Sequence, residues 1–194
     1  WQQLNGQFGV PQKAISATDM AALFLIGSDP AIAKYIPENV NGFNPVSNML
    51  WQPQFQSSLG SGAEAAPFRK LFFAWADLRG NDVNTTNQVL SVIQNKALKE
   101  GGLEYAVRIM KAKDYQIWVR AQAMVTLSRV GGKEQVADFE AMFDDKTLVT
   151  NIQWQNVMLN TQIGDIALAQ AAHLSGQQPK DYGFDALQMQ PSLI

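Results

Sequence analysis

The most informative part of this 194-residue sequence is residues 115–143, YQIWVRAQAMVTLSRVGGKEQVADFEAMF. Residues 115–130 are apolar on nearly every side of a helix, so we expect a helix that is packed between neighbours. Asp114 is expected to cap this helix, and the two glycines after residue 130 are expected to end it. An amphipathic helix over residues 134–143 should then return beside it, because a short link favours antiparallel neighbours.

Helical patterns recur on both sides of this stretch. Residues 144–160 are mixed, and the β-branched residues among them weaken a helix prediction there. Thr85 or Thr86 is expected to cap the helix that precedes the two glycines at 101 and 102. Since no run of alternating strands is evident, we expect an all-α protein. Further helices are predicted near residues 19–26, 68–78, 86–98, 103–110 and 161–174.

Composition excludes several classes of site. Asn and Gln together number 32, which equals the number of charged residues, so half of the polar surface is amide. With a net charge of −2, no global field steers the protein to nucleic acid or to an anionic membrane. The absence of Cys excludes disulfides, thiolate zinc sites and a cysteine nucleophile. His173 is the single histidine, so an all-histidine metal cage is also excluded, and no cofactor or metal is expected.

No membrane span is expected in this sequence. The longest strongly apolar stretch, Met20 to Ile26, is far shorter than the roughly 18 to 20 residues that cross a bilayer. The chain starts at Trp1 without an initiator Met, which indicates a processed or trimmed chain. Removal of a signal peptide therefore stays open.

Residues 118–142 resemble a HEAT-like helical repeat, in which a Val-Arg-x-x-Ala-x-x-x-Leu core helix, a Gly turn and an amphipathic return helix follow each other. A second copy aligns residues 165–174 with this core, 47 residues later, and the expected period is roughly 40 to 47. A third copy begins 51 residues before the first and aligns Phe68-Arg69 with Val119-Arg120. The resemblance implies a short right-handed α-solenoid of about three to four antiparallel helix pairs.

A closer resemblance involves residues 131–134, 161–169 and 173–184. These stretches look like a set of uncharacterised, typically exported bacterial proteins that combine degenerate HEAT-like repeats with this ending. The match implies one helical-repeat domain over residues 17–187, between an extended lead-in at 1–16 and a tail at 188–194. It also implies a periplasmic or otherwise exported location, with the cytoplasm left open. Because the resemblance carries no catalytic motif, it implies a scaffold rather than an enzyme.

Arg120 is the most informative charged residue. It shares a helix face with apolar residues, so its side chain must either reach solvent or pair with a carboxylate. We expect a structural ion pair between repeats, with Asp165 or Glu104 as the partner. Contact with a ligand is the alternative.

Two possible functional clusters are not favoured by their spacing. Asp165 and His173 could form a triad with Ser175, but eight residues of helix separate the first two by about 12 Å. Asp144 and Asp145, with the acidic residues just upstream, lack the alternate ligands, central Gly and terminal Glu of a calcium loop. An enzyme built from scattered carboxylates has no support in the spacing, so we expect no catalytic residues.

The aromatic residues fall into two groups. Phe68, Phe72 and Trp75 have helical spacing and are expected to lie in the core. Trp51 and Trp154 lie in less regular surroundings and are better candidates for exposed contacts.

Amides surround both of these candidate tryptophans. Phe55 lies between Gln54 and Gln56, and Gln153 and Gln155 flank Trp154. Amides are less costly to desolvate than charges, so they suit a surface that a partner covers. We therefore predict a partner-contact surface made by the lead-in and by five residues, Trp51, Phe55, Gln153, Trp154 and Gln155.

Charge is partitioned along the chain. Residues 96–133 carry a net charge of +5, and residues 134–194 carry −6. Attraction between neighbouring repeats explains this partition more simply than a nucleic-acid surface does. The leading hypothesis is a non-enzymatic scaffold or accessory subunit that binds a protein partner, with no small-molecule substrate evident. The alternative is a nucleic-acid-binding module that uses the basic segment, with a patch at Arg108, Lys111 and Lys113.

Overall fold

The computed structural model describes residues 16–29, 31, 49–60, 62–79, 82–154 and 157–183. These residues are mostly helical, as the sequence predicted, and they also contain one two-stranded antiparallel sheet. The helices are α1 (Ala17–Ser28), α2 (Pro53–Ser58), α3 (Ala66–Leu78), α4 (Val83–Lys96), α5 (Gly102–Lys111), α6 (Ile117–Val130), α7 (Val136–Glu140) and α8 (Ile163–Ser175). The strands are β1 (Leu148–Trp154) and β2 (Val157–Gln162).

The chain divides into two compact units, Trp1–Gly80 and Asn81–Ile194. The first holds α1, α2 and α3, and the second holds the other helices and the sheet. Each unit is described by itself. The sequence-based division into a lead-in, one domain over residues 17–187 and a tail stays a prediction.

The first unit is built around aromatic side chains. α1 begins with a capping box between Ser16 and Asp19, and it packs against α2 and α3. Phe24, which is fully buried, places its ring centroid 5.8 Å from that of Phe55 and 5.2 Å from that of Trp75. Tilted aromatic pairs at this spacing add to the energy of burial alone. The expectation that the stripe on α3 is core is confirmed for Phe72 and Trp75, which are buried, whereas Phe68 is half-buried.

α6 is the central helix of the second unit. It packs against α4, α5 and α8, which confirms the prediction that this nearly all-apolar helix lies between neighbours. Val119, Ala123 and Leu127 are fully buried on it. A hydrogen bond of 2.7 Å from Gln94 Nε2 to Thr126 Oγ1 joins α4 to α6.

Two helix caps differ from the prediction. Asp82 caps α4 by accepting a hydrogen bond from the backbone N–H of Thr85, while Thr85 and Thr86 are buried inside the helix. α6 begins at Ile117 after Gln116, whereas Asp114 lies in the preceding turn. In both places several polar residues stand close together, and tertiary packing selects which of them precedes the first turn.

The two-stranded sheet lies in the segment whose pattern was mixed. β1 and β2 pair antiparallel from Leu148 opposite Gln162 to Trp154 opposite Val157. The pairing is irregular between Leu148 and Thr150. β-Branched residues favour strands over helices, which is why this segment leaves the helical pattern. The prediction of an all-α fold fits the described residues broadly, but it did not include this small sheet between α7 and α8.

Close backbone packing anchors the base of this hairpin. The N–H of Gly164, in the first turn of α8, donates to the carbonyl of Asp145 at 2.9 Å. A Cβ at position 164 would overlap the carbonyl oxygen of Phe143. The first turn of α8 therefore needs glycine at this position.

Candidate functional site

A solvent-open groove of about 650 Å³ lies in the second unit between α6, α8 and the hairpin. Its volume is within the range of small-molecule and peptide sites. We call it the α6–α8 groove. It is lined by Trp118, Ala121, Gln122, Val125, Val149, Leu159, Asn160, Thr161, Asp165, Ile166, Ala169, Gln170 and Gly183.

The floor of the groove is a face of α6 whose lining residues are exposed or half-buried. Trp118, Ala121, Gln122 and Val125 follow the i, i+3, i+4, i+7 spacing of one helix face. Trp118 is 43% exposed, and its indole N–H donates to Gln116 Oε1 at 2.6 Å. This bond orients the indole at the edge of the groove.

The hairpin forms one wall and presents apolar side chains to solvent. Val149 and Leu159 line the groove, and Leu159 is 51% exposed. Leu148 and Met158, on the same two strands, are also exposed. Large apolar residues concentrated on a short hairpin beside a groove are typical of an interaction site.

α8 forms the opposite wall. Ile166, Ala169 and Gln170 contribute from it and are half-buried. Among the described lining residues Asp165 alone is charged, and its carboxylate accepts the backbone N–H of Gln162 at 2.7 Å as part of the capping box of α8. The groove is therefore apolar with amide edges, and its one charge serves to start a helix.

An ion pair connects α6 to the base of the hairpin. Arg120 is 3% exposed, and its Nη2 lies 2.7 Å from Asp145 Oδ2. Arg120 Nε also donates to the carbonyl of Met110 at 3.0 Å, at the end of α5. Asp145 accepts further hydrogen bonds from the backbone N–H and the hydroxyl of Thr147. These contacts hold the start of β1 against α6.

The Asp145 carboxyl is tuned toward its charged form. Burial raises its pKa, but hydrogen bonds from the Thr147 hydroxyl and from Arg120 outweigh burial and lower the pKa to about 2. The backbone N–H of Thr147 and the charge of Arg120 act in the same direction. The ion pair is therefore complete at every pH above about 4.

The sequence-based expectation for Arg120 named the wrong partners. Its carboxylate partner is Asp145, 25 residues further along the chain. Asp165 instead caps α8, and Glu104 lies exposed in the first turn of α5. A long-range partner cannot be read from spacing, because the loop after α7 carries it back to α6.

The predicted contact residues have different surroundings. Trp51 is 49% exposed in the first unit, and Gln153 is exposed on β1 of the second. Phe55 is fully buried against Phe24, so its assignment as a contact residue was wrong. The side chain of Trp154, the whole of Gln155 and residues 1–15 of the lead-in lie outside the described part of the chain.

The basic patch is exposed, but its charges have local partners. Lys111 Nζ lies 2.7 Å from Asp138 Oδ1 on α7. The Arg108 guanidinium lies 4.9 Å from the ring centroid of Tyr105. Lys113 is exposed in the turn after α5. Asp138 therefore offsets part of the positive charge of this patch.

Among the described residues, no group of three or more His, Asp or Glu side chains is arranged to hold a metal ion. Asp165 lies in the first turn of α8, and His173 lies in its last turn. The two ends of one helix keep these side chains apart, as the spacing predicted. Asp138 and Asp145, from the acidic stretch, are each engaged in an ion pair.

Sequence reasoning missed the residues that make the groove. Trp118 and Val125 were treated as parts of a helix buried all round, and Leu159 lay in a segment without a clear pattern. The signal that could have found them is the presence of Gln122 between Trp118 and Val125, since a polar residue within an apolar stripe suggests a face that meets solvent.

No protein-family profile matches this chain, and neither a curated protein nor a solved structure is detectably similar to it. None of the described helices combines the length and the apolar character that crossing a bilayer requires.

Proposed function

We propose that this protein is a non-enzymatic helical-repeat scaffold or accessory subunit, and that the α6–α8 groove binds an uncharged, apolar segment of a protein partner. The observation that carries the proposal is an α6 face that lines a solvent-open groove and bears the exposed Trp118. Tryptophan is one of the residue types that contribute most to the binding energy of protein interfaces, and Trp118 lies at the edge of an apolar groove.

The chemistry of the lining argues for an uncharged occupant. The one charged lining residue, Asp165, is already engaged as a helix cap. An acidic side chain placed here would lose water and meet the Asp165 carboxylate, and a basic one would find only this carboxylate, which already accepts a backbone hydrogen bond. Amides such as Gln122, Asn160 and Gln170 line the groove and offer hydrogen bonds to the backbone of a bound segment.

A correspondence between α3 and α6 supports the repeat part of the proposal. Arg69 and Arg120 are each the fourth residue of their helix, and each is buried. Each donates to a backbone carbonyl shortly before its helix, Arg69 to Gly60 and Arg120 to Met110.

The positions of the buried residues also correspond between α3 and α6. The buried residues of α3 are Arg69, Phe72, Phe73, Trp75 and Ala76. A shift of 51 positions moves every one of them onto a buried residue of α6. This is the spacing of the third sequence copy, and it agrees with the repeat part of the proposal.

The experiment is a selection of displayed random 12-residue peptides on the intact protein, with free synthetic peptides then titrated by calorimetry. We expect enrichment of apolar peptides with few charges, and micromolar dissociation constants. Trp118→Glu should weaken binding at least tenfold. Leu78→Glu is the matched control, since Leu78 is 59% exposed on α3 of the first unit. Equal binding of the selected peptides by Trp118→Glu and by the control would refute the proposal.

A further inference from the structure

The end of α8 directs the chain back to the groove. Gly176 ends the helix in the left-handed conformation at φ 75°, and the N–H of Gln177 donates to the carbonyl of Ala172 at 2.9 Å. A single 3-10 turn, Pro179–Tyr182, follows. Gly183, the last described residue, lines the α6–α8 groove. The described part of the chain therefore ends at the groove.

Residues 184–194 read FDALQMQPSLI, and this chemistry matches the lining of the groove. We call these residues the C-terminal segment. Phe184, Leu187, Met189, Leu193 and Ile194 are large and apolar, and Asp185 is the single charged residue. The remaining polar side chains are two Gln and one Ser, so the segment has the same apolar and amide character as the groove.

The C-terminal segment is long enough to fill the groove. The face of α6 that lines it runs from Trp118 to Val125, about 10 Å at the rise of a helix. The eleven residues of the segment would cover about 16 Å as a helix and at most about 36 Å if extended. Both lengths exceed the span of the floor.

We propose that the C-terminal segment occupies the α6–α8 groove of its own chain, and that a partner must displace it. Attachment at Gly183 supports occupancy in the same molecule, since a short tether gives an effective concentration in the millimolar range. Even a segment with a dissociation constant near 100 μM would then fill the groove about nine-tenths of the time. This inference rests on the proposed function, because it regulates the same groove.

The absence of Cys makes disulfide trapping a direct test. Leu187→Cys is combined in the full chain with Gln122→Cys on α6 or with Gln170→Cys on α8. The control pair combines Leu187→Cys with Glu104→Cys, which is exposed on α5 and does not line the groove. Since a disulfide requires Cα atoms within about 7 Å, we expect loss of free thiols in a monomeric product for a groove pair only. Disulfide-linked dimers, or equal oxidation of the control pair, would overturn the inference.

A second measurement separates this inference from the proposed function. Leu187→Asp should release the groove, so a selected peptide should bind this variant about tenfold more tightly than the unmodified chain. Gln190→Asp adds the same charge to the segment at a polar position and should have a smaller effect. If peptides bind the groove but Leu187→Asp leaves their affinity unchanged, occupancy in the same chain is wrong and the proposed function stands. If no peptide binds even the Leu187→Asp variant, the proposed function fails.

Discussion

Replacing Asp145 with Asn should destabilise the second unit in a way that depends on pH. The pKa of Asp145 is lowered from 3.8 to about 2 in the folded protein. A difference of nearly two pKa units corresponds to about 2 kcal/mol of stability. Because the folded pKa is the depressed one, this contribution is fully present above about pH 4 and is lost as the pH falls toward 2.

The cost at neutral pH follows from the burial of the pair. The side chains of Arg120 and Asp145 are 4% and 16% exposed. Removing one member of a buried ion pair costs about 3 to 5 kcal/mol, and partial solvation of Asp145 reduces this to about 2 to 4 kcal/mol. In the double variant Arg120→Met/Asp145→Asn we expect less than the sum of the two single effects, because no charge is left buried.

The assay measures the free energy of unfolding in urea at several pH values from 7 to 2.5. Amide hydrogen exchange of α6 peptides is the readout, so that unfolding of the second unit is observed directly. The difference between the unmodified chain and Asp145→Asn should be constant above pH 5 and should shrink by about 2 kcal/mol below it. Asp144→Asn is the control, since Asp144 is exposed and should change stability by less than about 0.5 kcal/mol. Parallel pH profiles for the unmodified chain and Asp145→Asn would refute the reasoning.

Two backbone positions give the remaining predictions. Gly164→Ala should cost more than about 3 kcal/mol in urea unfolding, because the new Cβ meets a backbone carbonyl that cannot move aside. Gly102→Ala, also in the first turn of a helix, meets the buried side chain of Ile93 at 3.0 Å and not a backbone atom, so it should cost less, about 1 to 2 kcal/mol; equal costs would contradict the argument. Ala97→Gly should raise the melting temperature and add about 0.5 to 1 kcal/mol, because Ala97 ends α4 at φ 48°, where glycine has no steric penalty. A lower melting temperature would show that the side chain of Ala97 stabilises the fold by more than its left-handed backbone conformation costs.

Much of the secondary structure was predictable, because its causes are local. The capping box at Ser16 and the apolar spacing on α3 and α6 are written within a few residues of each other. The hairpin was not predicted, although β-branched residues marked the segment in which it lies. A two-stranded sheet depends on pairing between its strands, which one strand's sequence does not show. The alternation of apolar and polar residues that marks a strand is also weak when both faces of a short hairpin carry both kinds of residue.

The site was predicted poorly for a related reason. Phe55 and Trp118 have similar sequence surroundings of apolar residues and amides, yet Phe55 is fully buried and Trp118 is 43% exposed. Which aromatic faces solvent depends on what packs over it, and the covering residues are distant in sequence. The need of Arg120 for an acceptor was predictable, but the identity of Asp145 was not.

The sequence by itself determined that the protein is mostly helical, that Phe72 and Trp75 lie in a core, and that α6 has apolar residues on nearly every side. Tertiary structure alone decided which side of α6 stays open. Periodicity specifies which residues share a face, because side chains repeat every turn of the helix. It does not specify which neighbour covers that face. Here α4, α5 and α8 cover parts of α6, and the hairpin stands beside the remainder to form the groove.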